Sequence, residues 1–340
     1  MLWLLWTFYA TRAQHDIALD CVREMLERAE RDGKSDYLVV AHNAASLSYF
    51  WVGDYRKAET HLEAIEALYD YDSHKHLVWQ YNHDPKVTAL IWATHWYWML
   101  GRPDRAAEAA HEHLELSRRL GHPFNLIFSL TPGSCAFMYR REPDRQKLWI
   151  DEALRIGEEQ SFPIVADFCA PMFSGISRIE AGEVEFGRSW IEQSGQFWGG
   201  LGAGLLFPMH SIGLAMADLR LGEIERGLEV IDEAIERIQR TGEGMHEAEA
   251  YRIKGELCRA TGADRATDAE ACFRTALETA RRQDAKGWEL RSATSLARLW
   301  QSQGKVQEAR DLLFPVYDWF TEGFDTADLM DAKALLDELK

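Results

Sequence analysis

A tight link recurs about every forty residues along almost the whole chain, and this period constrains the fold more than any single motif. Glycine marks the link at Gly53, Gly101, Gly182, Gly222, Gly262 and Gly304, and Ala13 and Arg141 stand at two more. The intervals are 40, 48, 40, 41, 40, 40 and 42 residues. Seven residues before each link from the second onward sits a small residue: Ser46, Thr94, Ser134, Gly175, Ala215, Gly255, Ala297. Five residues after most links comes another: Ala18, Ala58, Ala106, Gly187, Gly227, Ala309. Gln146 breaks that rule, and Ala269 comes two residues late. Small side chains at both places let two helices of a hairpin approach closely while the link turns the chain, so the pattern predicts a stack of helical hairpins.

The expected first helices span 1–12, 34–52, 85–100, 123–140, 163–181, 207–221, 243–261 and 286–303. Their partners span 14–31, 54–70, 103–119, 144–160, 183–198, 223–240, 265–282 and 305–320. Ile224, Leu228, Ile231, Ile235 and Ile238 show the three- and four-residue spacing of an amphipathic helix. Pro103 and Pro143 suit a first helical turn, where a missing N–H costs nothing. Residues 325–340 read as one capping helix, apolar along Leu329, Ala332, Leu335, Leu336 and Leu339. All 340 residues are expected to form one all-α superhelical array of about eight hairpins plus this cap.

Charge and cysteine usage narrow the function. A net charge of −17 opposes nucleic acid and acidic membranes, both of which need a positive surface. Five scattered cysteines without a CxxC pair fit a reducing cytoplasm. MLWLLWTFYA lacks the basic flank and processing site of a signal peptide, and no run of eighteen apolar residues exists to span a membrane.

The stretch AEACFRTALETA, with Ala269, Phe273 and Ala276, resembles the second helix of a tetratricopeptide repeat. From Tyr251 onward, YRIKGELCRATG, QGKVQEARDLL and the segments around them resemble the C-terminal region of large bacterial signalling proteins. In that family a class III nucleotide cyclase and an AAA/STAND-type ATPase precede such an array. HDPKVTALIWATHWYWMLGRPDRA extends the resemblance over most of the chain. The resemblance implies a sensor or interaction arm. The enzymatic modules themselves are absent: there is no GxxxxGK[ST] cradle and no strand-rich cyclase domain.

No catalytic constellation emerges from the residues. GGLGAG (Gly199 to Gly204) follows a helix instead of a strand and lacks the Lys-Ser/Thr of a phosphate loop, so it reads as a link. His74, His76 and His83 share a loop with Asp70 and Asp72 without the spacing of a defined metal site. Trp92, His95, Trp96, Tyr97 and Trp98 read as packing between helices. No cofactor or metal is expected, and the chain is expected neither to hydrolyse ATP nor to make cyclic nucleotides.

In the tetratricopeptide pattern, inward positions sit thirteen, ten, six and three residues before each link. Carried over, they assign Phe128, Cys135 and Met138 in the fourth unit, Met172 and Ile176 in the fifth, and Met209, Ile212 and Met216 in the sixth. Glu249, Arg252 and Arg259 follow in the seventh, and Arg291 and Arg298 in the eighth. The middle of the inner face is therefore apolar and methionine-rich, and its C-terminal end charged. Either these residues line an open groove for a protein segment or small signal molecule, or a tighter winding buries them as core. Ala at Arg252 or Arg259 is expected to leave folding intact. Competing functions are an all-α enzyme with a central cavity and a purely structural self-association arm. The first helix, with Trp6 where later units are small and with Leu2, Trp3, Leu4, Leu5 and Phe8 around it, is expected to pack under the second unit or pair with another copy.

Overall fold

A computed structural model describes all residues, 1–340. Eight helical hairpins follow one another with no strand between them. They are Leu2–Thr11 with His15–Asp32, Ser35–Trp51 with Tyr55–Leu68, Pro85–Met99 with Pro103–Leu120, and a broken Pro123–Arg140 with Pro143–Glu159. Then come Ala170–Glu180 with Val184–Gly200, Phe207–Leu221 with Ile224–Thr241, Glu247–Ala260 with Ala266–Arg282, and Lys286–Ser302 with Val306–Asp318. Ala327–Glu338 closes the array. All eight links adopt positive φ, including Ala13 and Arg141.

The small residues do what their spacing implies. A Cβ on Gly187 would lie 2.6 Å from the Gly175 carbonyl oxygen, so the two helices of the fifth hairpin cross in backbone contact. Gln146, the exception, is buried, and its amide donates to the Phe173 carbonyl at 2.7 Å and to Ser134 Oγ at 3.2 Å. Two first helices are irregular. Pro132 opens a 3-10 turn, Pro132–Ser134, between Pro123–Leu130 and Cys135–Arg140. A π-turn, Val165–Cys169, precedes Ala170–Glu180, whose first turn carries Pro171. Segment 71–84 holds two short helices, Tyr71–His74 and Leu77–Tyr81.

The period did not reveal how tightly the stack winds. The second unit meets the seventh: Tyr55 Oη donates to the Met245 carbonyl at 2.9 Å, and Met245 N donates to the Trp51 carbonyl at 3.2 Å. Arg56 pairs with Asp284 at 2.8 Å. The third and fourth units meet the eighth and the cap. Trp98 packs edge-on to Trp288 with centroids 4.7 Å apart, and the Asp104 amide donates to Glu322 at 2.8 Å. Arg140, 5% exposed, pairs with Asp104, Glu142 and Asp325. The glycine-rich link closes the first turn of the winding: the amides of Gly204 and Leu205 donate to the Thr11 carbonyl at 2.8 and 3.1 Å.

One core cluster consequently runs from Trp6 through Trp92, Met172 and Met209 to Trp288. The accessible surface is 14260 Å²; a compact monomer of this mass exposes about 14,100 Å². An open solenoid would expose more. The first helix packs under the second unit, with Trp6 Nε1 donating to Ser48 Oγ at 2.8 Å and its ring stacked on Trp51. Leu4, Leu5 and Phe8 remain on the outside. No helix is long and apolar enough to cross a membrane.

Candidate functional site

The winding divides the inward residues into two groups. Cys135, Met138, Met172, Met209 and Ile212 are all buried, and Phe128, Ile176 and Met216 are partly buried against them. Of the two arrangements expected for these residues, the structure has the tighter winding, in which they fill the axis instead of lining an open groove. Helices on opposite sides of the superhelix approach until their side chains interdigitate, leaving a void of about 30 Å³ among Met138, Ile176, Met209, Ile212 and Met216. Trp92, His95, Trp96, Tyr97 and Trp98 are buried too, as core packing requires.

The charged end opens to solvent. Between the fifth to eighth units and the cap lies a cleft of about 280 Å³. Arg252, Arg259, Arg291 and Arg298 line it, together with Arg141 and Arg220 and the carboxylates of Glu180, Glu256, Asp328 and Asp331. Met216, Glu180 and Arg291 also border the apolar void, so the two spaces are neighbours.

Much of this charge is internally paired. Arg252 bonds Glu249 at 2.7 Å and lies 3.6 Å from Glu256, which also takes Arg259 at 2.8 Å and the Ser295 hydroxyl at 2.7 Å. Burial raises the Glu256 carboxyl, but Arg252 and Arg259 outweigh it and hold the group below its ordinary value. Arg291 bonds Asp328 at 2.8 Å, donates to the Tyr139 carbonyl at 2.9 Å and stacks over Trp98 at 4.6 Å. Arg141 bonds Asp331 at 2.7 Å. Three groups have no partner: Arg220 and Arg298 at the rim, both exposed, and Glu180 on the floor. Burial raises the Glu180 carboxyl above its ordinary value, with Arg291 and Arg141 pulling it back.

The pairing changes one expectation. Arg252→Ala leaves Glu249, 4% exposed, with only Arg291 at 3.8 Å. Removing one partner of a buried ion pair is destabilising, so Arg252 belongs to the scaffold as well as the cleft. Arg259, half-exposed, carries no such burden.

Beneath the cleft a buried chain of polar groups crosses the axis. His95 Nε2 donates to the Pro132 carbonyl at 3.1 Å, which makes His95 Nδ1 the acceptor for Tyr139 Oη at 3.1 Å. Tyr139 Oη then receives His246 Nε2 at 3.0 Å. His246 Nδ1 is left as a buried acceptor without a partner, in a side chain that borders the apolar void.

Other candidates dissolve. His74, His76 and His83 do not converge: the His74 and His76 rings approach Asp36, whereas His83 lies between Trp3 and Phe128. No group of three metal-ligating side chains forms elsewhere. A shallower depression of about 460 Å³ follows the seam between the second and seventh units. Its charges are spent on one another, Arg56 on Asp284 and Arg282 on Glu247.

Glu180, Arg220 and Tyr139 were missed by the inward frame because each sits two residues before its link, one step outside it. Charged residues at that offset in consecutive units, Glu180 and Arg220, were the available signal. Asp328 and Asp331 lie on the cap, outside any repeat register.

No family model matches the chain. It is 28% identical over 316 residues to an uncharacterised protein of Rhizobium meliloti (strain 1021), covering 87% of this chain and 29% of the relative's length. Among solved structures it resembles a subunit of the APC/C hetero-tetramer Cut9–Hcn1, with a TM-score of 0.55, 12% identity, and coverage of 97% of this chain and 53% of that one. It also resembles the apo form of RapI, with a TM-score of 0.54, 11% identity, and coverage of 86% and 99%. A third resemblance is to a Signal Transduction ATPase with Numerous Domains from Pyrococcus horikoshii that carries a tetratricopeptide repeat sensor. There the TM-score is 0.50, the identity 16%, and the coverage 100% of this chain and 49% of that one. At these identities the likeness concerns the fold, an all-α solenoid of tetratricopeptide-like hairpins.

Proposed function

We propose that the chain is a recognition arm whose arginine-lined cleft receives an anionic group of a partner segment or small signal molecule. The observation that carries this reading is local: six arginines face four carboxylates in one half-enclosed cleft of a chain whose overall charge is −17. Four of the arginines are held in place by neighbouring carboxylates and two stand free at the rim, an arrangement suited to forked recognition of a carboxylate or phosphate. The sensor of the Pyrococcus horikoshii signalling ATPase shares the hairpin architecture, which supports placing this arm beside a signalling ATPase; a neighbouring nucleotide cyclase is implied by the sequence resemblance alone. The chain spans 29% of its Rhizobium relative, leaving ample length there for such modules.

The test is native mass spectrometry of the purified chain, comparing wild type with an Arg220→Glu, Arg298→Glu double variant. Both side chains are exposed and unpaired, so the variant should melt like wild type. The reading expects a bound anionic molecule or segment that the variant releases. Occupancy indifferent to both arginines would contradict it.

Self-association belongs to the same proposal, through the outer face of the first helix, where Leu4, Leu5 and Phe8 stand exposed together. Sedimentation equilibrium should detect a dimer that Leu4→Glu with Phe8→Glu dissolves. A wild-type monomer at all concentrations would rule the pairing out.

A further inference from the structure

The unpartnered groups in the cleft carry opposite charges and occupy different depths. Arg298 and Arg220 stand at the solvent rim without a carboxylate. Glu180 is on the floor, partly buried, with neither a hydrogen-bond nor an ion-pair partner. Burial of this floor carboxylate is only partly offset by Arg291 and Arg141, neither of which reaches ion-pair distance, and a partly buried charge without a direct partner is costly to the protein alone. It is the kind of group that a ligand's ammonium satisfies with a short, charge-assisted hydrogen bond.

Size and field point the same way. The cleft's 280 Å³ sits at the small end of ligand pockets, which run about 300–1,000 Å³. A purely anionic ligand would meet Glu180, Glu256, Asp328 and Asp331 inside the cleft and the field of a chain at −17 outside it. A purely cationic ligand would meet the arginine rim. A ligand with no net charge and two separated ends avoids both penalties. Below the floor, the void of about 30 Å³ bordered by Met209, Ile212 and Met216 has room for about two water-sized groups.

We propose that the cleft binds a zwitterion of amino-acid size, its ammonium on Glu180, its carboxylate on the Arg298 and Arg220 guanidiniums, and a short apolar side chain directed at the methionine-lined void. This rests on the reading of the cleft as the recognition site and names the ligand chemistry that site would take.

Titration calorimetry on the full chain tests it with L-norvaline, glycine, 4-aminobutyrate and 6-aminohexanoate as zwitterions of differing charge separation. Butyrate and butylamine serve as singly charged parents. At least one zwitterion should bind more than about tenfold tighter than either parent, the size of one charge-assisted hydrogen bond. Glu180→Gln and Arg298→Gln should each remove about that tenfold advantage while the melting temperature stays level. Glu180→Gln keeps the shape and deletes only an unpaired charge, so a folding defect is not the expected cause of a loss.

The proposal is overturned if no zwitterion exceeds its parents or if Glu180→Gln leaves affinity unchanged. Butyrate binding as tightly as L-norvaline, with sensitivity to Arg298→Gln alone, would overturn the zwitterion and leave the anion cleft standing. Failure of every probe, together with occupancy in the mass spectra that ignores Arg220 and Arg298, would remove both.

Discussion

Replacing Met209 by Glu should lower the stability of the chain by about 4 kcal/mol or more, enough to shift its melting temperature by about 6 °C or more. Met209 is 2% exposed and lies in the cluster that joins the first unit to the eighth. A carboxylate there finds no solvent, shares its void with Glu180, and meets in Arg291 a guanidinium already paired with Asp328. It must stay ionised in an apolar site, take up a proton, or force the opposing helices apart. Met172, also 2% exposed, should respond to Glu in the same way. Met209→Leu preserves volume and should cost less than about 1.5 kcal/mol, which separates charge burial from loss of shape. Melting of Met209→Glu at the wild-type temperature would mean that the axis is an open groove after all.

The second large effect is acid sensitivity. Burial depresses His95 and His113 to about 3 and His210 and His246 to about 4. In the unfolded chain each returns to about 6.5. Between those values the unfolded state binds the extra protons, so the contribution of these histidines is complete above pH 6.5 and is lost as pH falls toward 4. Between pH 7 and 5.5 each should cost about 1.2 kcal/mol. Asp218, raised to about 6 by burial despite Arg188, works in the opposite direction over the same interval. For these five groups the expectation is a loss of about 4 kcal/mol, to which His61 and His83, also lowered to about 4 by burial, add in the same direction; it is read as a lower urea midpoint at pH 5.5 than at pH 7. His246→Gln, which keeps a donor toward Tyr139, should flatten that dependence. Equal or greater stability at pH 5.5 would contradict the account of these histidines as neutral core groups.

The hairpins were legible in the sequence because their determinants are local. A link that needs positive φ and a small residue at each crossing repeat with the unit, and the helix ends follow within a few residues. The inward face was legible for the same reason, since helical register persists between links. The winding was not. It depends on the small rotation of each hairpin against the next, summed over the stack, and on contacts between residues far apart in sequence, such as Trp98 with Trp288 and Tyr55 with Met245. No period encodes those pairs. Methionines that fit an adaptable binding surface fit an irregular core equally well, so composition alone left Met138, Met172 and Met209 undecided until the opposing helices were placed. Of the charged positions, Arg259 and Arg298 stayed at the surface, while Arg252 and Arg291 are largely buried, held there by Glu249 and Asp328. Glu180 and Arg220 escaped notice through a one-residue offset in the inward frame.

The claim on which the site depends is that the array closes on itself, filling its axis and leaving only the C-terminal cleft open. Small-angle X-ray scattering of the intact monomer measures this directly. A closed winding of 340 residues should give a radius of gyration of about 20 Å, the value for a compact globule of that length. Eight hairpins stacked as an extended array of about 70–80 Å would give about 25 Å. A value near the first supports the closed superhelix, and a value near the second would contradict it.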